Sequence, residues 1–132
     1  NRIMATIQKF EDLICWKEAR ILCKEVGLLV RKKKFGNNFR LIHQIEGSSG
    51  SIMDNIAEGF ERGGNKELIQ FLYIAKASCG ELRAQLYRAL DLEYLTHTEF
   101  SELREKANKL SWLIQKFINA VSASALKGYK YK

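Results

Sequence analysis

The chain has 132 residues, 46% of them hydrophobic and 28% charged, which fits one globular domain and argues against a disordered chain or a purely structural fibre. No 18 apolar residues run together, and the first ten lack the apolar stretch and cleavage site of a secretory leader, so neither a membrane span nor an export signal is expected. Lys and Arg number 22 against 15 Asp and Glu, and the net charge of +7 points to an acidic partner, nucleic acid first.

Proline is absent, so no ring interrupts a helix. In the first segment Cys15, Ala19, Leu22, Val26 and Leu29 recur at spacings of four and three, with Trp16, Cys23 and Val30 widening the stripe. That periodicity predicts an amphipathic helix over about 11–34, ended by Gly36, Asn37 and Asn38. Ile42, Ile45, Ser49, Ile52, Ile56 and Phe60 predict a second helix over about 38–62, stopped at Gly63 and Gly64. Asn65 is placed to cap a third helix over about 66–92, whose stripe is Leu68, Phe71, Ala75, Cys79, Leu82, Leu86 and Ala89. Thr96 and Glu99 read as a capping box for a fourth helix over about 97–123, striped by Leu103, Ala107, Leu110, Ile114, Phe117 and Val121. Residues 124–132 read as a mobile basic tail. Four such helices with short connections predict an all-α, antiparallel up-down-up-down four-helix bundle in a single domain.

The other faces carry the functional readings. Lys17, Arg20, Lys24 and Arg31 lie on one stripe roughly opposite the first core stripe; Lys32, Lys33 and Lys34 extend it, and Arg40 follows the turn. Residues 1–40 hold ten Lys or Arg and four Asp or Glu, so six of the seven net charges lie there. These eight cations are the candidate phosphate contacts, set against the plainer reading of a solvated helix face. Ile14, Ile21 and Leu28 form a second ridge spaced by seven, which either a neighbouring helix or another subunit has to cover.

Gly47 and Gly50 are poor helix material, each costing about 1 kcal/mol relative to alanine. Asn55, beside Ile52 and Ile56, is expected to be partly buried with its amide bonded, a device that fixes register or oligomer state. Asp54 and Glu58 share a face, but ion pairing through Arg62 or Arg83 explains them better than acid–base chemistry. No nucleophile–base constellation occurs, so no catalytic residue is assigned. Three cysteines among apolar residues read as reduced thiols of a cytoplasmic protein, and two distant histidines supply no metal cluster; neither metal nor cofactor is expected.

Phe10-Glu11-Asp12-Leu13 with Trp16 resembles the opening of the 23S ribosomal RNA intervening-sequence proteins, a bacterial four-helix-bundle family. Ser51-Ile52-Met53-Asp54-Asn55-Ile56-Ala57-Glu58-Gly59 with Arg62 resembles its central signature. Phe71-Leu72-Tyr73-Ile74-Ala75, then Ser78 and Glu81-Leu82, resembles the segment that follows, so that the likeness spans about residues 10–121. Met53 and Gly36 stand where the family commonly has proline, and Cys15 where it has valine. The resemblance implies a homo-oligomeric ring, commonly a pentamer. It also implies kinship with the accessory variability determinant of diversity-generating retroelements, a basic bundle that binds nucleic acid and a reverse transcriptase. It brings no catalytic residue, and makes Asn55, Glu58, Gly59 and Arg62 structural or subunit-contact positions. The expected function is non-enzymatic binding of RNA or DNA by an oligomer; the alternative is a protein–protein scaffold.

Overall fold

Each hydrophobic stripe becomes one wall of a shared core. The structure, a computed structural model, describes residues 7–131, with side chains through Ser124. Its helices are α1 (Ile14–Val30), α2 (Phe39–Glu61), α3 (Asn65–Asp91) and α4 (His97–Tyr131). Short 3-10 turns occupy Phe10–Asp12 and Lys33–Phe35, and no strand occurs among the described residues.

Polar contacts between helices report their directions. Between α2 and α3, Gln44 meets Arg88 at 2.8 Å, Ser48 meets Gln85 at 2.6 Å and Ser51 meets Ser78 at 2.9 Å. Numbers rise on one helix as they fall on the other, so the pair is antiparallel. Lys76–Gln115 and Arg83–Asn108, both 2.7 Å, set α4 antiparallel to α3. Glu25–Lys106 at 2.6 Å and Lys32–Glu99 at 3.4 Å return the chain to α1. α1 also packs on α2, so the four helices stand at the corners of an up-down-up-down bundle.

All the fourth-stripe residues are buried, as are Cys15, Ala19, Leu22, Val26 and Leu29 of α1. Ile42, Phe60 and Phe71 sit half-buried at the stripe edges. Leu13, Phe35, Leu41, Leu72, Leu95, Phe100 and Ile118 join the core from outside the expected stripes.

Four boundaries differ from the periodicity reading. The first helix is shorter than 11–34, because Leu13 is extended and the chain leaves α1 after Val30. That departure lets Phe35 plug the bundle end, 1% exposed and 5.0 Å from the Tyr94 ring. Lys32, Lys33 and Lys34 therefore sit on a connection rather than on the α1 stripe. Gly64, not Asn65, is the N-cap of α3; it is extended and makes no side-chain cap bond. At the end, α4 continues through 124–131 instead of giving way to a tail, since Ala123, Ala125 and Leu126 are good helix formers. Lys132 and the side chains of residues 125–131 lie outside the described residues.

Three local devices fix the connections. Gly36 at φ 55° makes the bend before α2, where the Asn38 side chain accepts a hydrogen bond from the Leu41 N–H at 3.2 Å. Before α4, the Thr96 hydroxyl accepts from the Glu99 N–H at 3.1 Å, and the Glu99 carboxylate accepts from the Thr96 N–H at 2.9 Å. That is the capping box read from the sequence. α2 passes through Met53 as one uninterrupted helix.

Candidate nucleic-acid interface

The eight selected cations are all exposed. Lys17, Arg20, Lys24 and Arg31 follow the outer face of α1 and its exit; Lys32, Lys33 and Lys34 occupy the connection, and Arg40 stands in the first turn of α2. Arg20, Lys24 and Arg31 also line the groove between α1 and α2, a space of about 340 Å³ shared with Cys23, Gly27, Leu28, Glu46, Ser49 and Met53. Arg31 pairs with Glu46 at 3.5 Å and Lys32 with Glu99 at 3.4 Å. Exposed pairs of this kind contribute at most about 1 kcal/mol, so a phosphate can displace either acid. Lys33 and Lys34 make no ion pair among the described residues.

Among the described residues one exposed aromatic, Phe39, adjoins the band beside Arg40, and no series of them runs along it. Trp16 is half-buried, with Phe10 edge-on at 5.0 Å and the Arg20 guanidinium 5.9 Å from its ring centroid. A row of cations with a single exposed aromatic suits a phosphate backbone better than a series of stacked bases.

The aliphatic ridge has no cover within the described chain: Ile14, Ile21 and Leu28 are 66%, 49% and 58% exposed. They alternate with Lys17, Lys24 and Arg31 along one seam of α1, at steps of three and four. The two surface readings of α1 thus share one face. Whatever covers the ridge also meets those three cations.

The signature residues of α2 have contacts inside the chain. The Asn55 amide donates to the Ser51 carbonyl at 2.8 Å and to the Ser51 hydroxyl at 2.9 Å, and the Ser78 hydroxyl donates to that same oxygen at 2.9 Å. Glu58 pairs with Arg62 at 3.3 Å, and the Arg62 guanidinium lies 5.1 Å from the Phe71 ring centroid. Gly59 is where α3 comes closest: a Cβ there would meet the Phe71 Cβ at 2.6 Å. Arg83 turns instead to Asn108, and Asp54 is exposed. The buried Ser48–Gln85 pair at 2.6 Å escaped the sequence reading. Its only signal was a serine and a glutamine, each one place off an apolar stripe on successive helices.

Burial pushes the thiols of Cys15 and Cys79 up to about 12. Cys23, half-buried, opens on the α1–α2 groove, and all three cysteines are free. Among the described residues no cluster of His, Cys, Asp and Glu could hold a metal ion. No described helix is long and apolar enough to cross a membrane.

A family profile described as 23S rRNA-intervening sequence protein matches residues 11–116, which include the Asn55, Glu58, Gly59 and Arg62 signature. The chain belongs to this family. A crystal structure of an S23 ribosomal protein family member of unknown function, from Bacteroides thetaiotaomicron, is similar with a TM-score of 0.71 and 20% identity. The alignment covers 80% of this chain and 98% of that one, and at this identity it speaks for the fold. No curated protein matches. Within this intervening-sequence bundle, Gly59 and Arg62 of the signature touch Phe71 of α3, whereas Asn55 and Glu58 bond within their own segment. The basic band and the α1 ridge are among the surfaces that face outward.

Proposed function

We propose that this intervening-sequence protein is a homo-oligomer that binds RNA or DNA through its basic band, acting by binding rather than by catalysis. One observation carries the reading: eight exposed cations run from Lys17 through Arg20, Lys24 and Arg31 to Lys32, Lys33, Lys34 and Arg40. Cations in such a row displace the counterions condensed on a polyphosphate, giving affinity that ignores base sequence and falls steeply with salt. An oligomer repeats the row, and several weak rows held together bind with avidity. The uncovered Ile14, Ile21 and Leu28 ridge supports assembly, since a contiguous aliphatic surface in water favours association.

Filter binding of labelled RNA and DNA across a salt series tests the reading. Each phosphate contact contributes about 0.7 to 0.9 to the slope of log affinity against log salt. Neutralising Lys32, Lys33 and Lys34 together to Gln should weaken binding and flatten that slope by about two units. An unchanged slope removes these three from the interface. No retention of either polymer at low salt, with capture of a protein partner instead, replaces the reading with a protein scaffold.

A further inference from the structure

Opposite its core stripe, α2 carries Gly47, Gly50, Asp54, Ala57 and Glu61 at alternating steps of three and four, the same rhythm as the α1 seam. The chemistry is inverted. The α1 seam alternates large aliphatics with cations, whereas the α2 seam sets Asp54 and Glu61 among Gly47, Gly50 and Ala57, and Arg62 just beyond it is paired with Glu58. Nothing lies within 4 Å of a Cβ built on Gly47 or Gly50, so packing inside the protomer does not require either glycine.

We infer that the α1 seam of one copy docks on this outer face of α2 in the next copy, an inference that rests on the homo-oligomer reading above. In an antiparallel register Leu28 and Ile21 then fill the space at Gly50 and Ala57, and Lys24 and Lys17 meet Asp54 and Glu61, which leaves Arg20, Arg31, Lys32, Lys33, Lys34 and Arg40 for the polyphosphate. A second α1 seam is a poor partner, because cations would face cations. The outer face of α3 is poorer too: Ile74 already fills its seam, and Glu67 and Glu81 are balanced by Lys66 and Arg88. The contact joins unlike faces. Such a contact repeats head to tail from copy to copy, and it makes a ring when the rotation between copies closes.

Native mass spectrometry of two variants tests this contact. Ile21→Glu spoils the seam, and Gly47→Gln with Gly50→Gln spoils the acceptor face without a clash inside the chain. Each alone is expected to lose assembly and run as a protomer. Mixed in equal amounts, they should form a one-to-one pair and grow no further, since one intact contact remains between them. That pairing also shows that both variants fold. If the parent assembles while the glycine variant assembles equally, or if the mixture stays protomeric, the contact is wrong and the homo-oligomer reading survives. If the parent is itself a lone protomer, the homo-oligomer reading falls and this contact with it.

Discussion

Gly59 and Gly50 lie on one helix and should answer the same substitution with opposite signs. At Gly59 a methyl group meets the Phe71 Cβ, which is tied to the α3 backbone and has no rotamer by which to escape. Gly59→Ala should therefore cost about 1–3 kcal/mol of stability. At Gly50 the space is open, so Gly50→Ala removes backbone freedom from the unfolded chain and should raise protomer stability by up to about 1 kcal/mol. Urea unfolding of the two variants reads both signs; a loss at both positions would refute this account of α2. The cysteines sort in a similar way. Cys15 and Cys79 are buried with thiols pushed up to about 12, whereas Cys23 borders the α1–α2 groove. Alkylation of the native protein at neutral pH should modify Cys23 first, with the other two reacting only on unfolding. Mass mapping that finds Cys79 modified early would contradict the packing between α2 and α3.

At the scale of elements, the start of α4 is, among the described residues, the one helix end with reciprocal capping. The Thr96 N–H holds the Glu99 carboxyl below its usual range, and Lys32 adds to the effect. A carboxylate stabilised in the folded state contributes above its unfolded value of 4.5, and that contribution is lost as pH falls through the lower folded value. Glu99→Ala, which removes the carboxylate that accepts from the Thr96 N–H, should cost about 1 kcal/mol at neutral pH. The penalty should shrink as acid protonates the carboxylate of the parent protein. Denaturant titrations from neutral pH into acid check it, and a penalty that does not change with pH would show that the Glu99 charge takes no part. The starts of α4 and α3 differ in what spacing declares. Thr96 and Glu99 are three apart and declare their bond in the sequence, while Gly64 and Asn65 both suit a cap, and only the backbone conformation chooses between them.

Over the whole molecule, the α1 face and the α1–α2 connection should divide their labour. If the seam is an inter-subunit contact, Lys17→Gln with Lys24→Gln changes assembly, while the Lys32, Lys33 and Lys34 variant changes the salt slope of nucleic-acid binding. Sedimentation velocity alongside filter binding separates the two. A lowered slope from the seam variant with its assembly intact would return Lys17 and Lys24 to the phosphate interface.

The buried stripes of all four helices were legible because burial in a bundle repeats every three or four residues, and the family signature was legible as a string of residues. Phe35 and Leu95 were not, because a residue that plugs the end of a bundle belongs to no periodic pattern. The candidate site was half legible. Charge alone picked out the eight cations, but their division between α1 and a connection depended on where α1 ends.

By itself the sequence determined the helices, their core faces, the basic balance and the family, all properties of local spacing and composition. Tertiary structure alone decided that the Ile14, Ile21 and Leu28 ridge stays open and that Gly59 is filled while Gly50 is not. Those outcomes depend on which helix stands next to which, and distance between elements is not written in the period of any one of them.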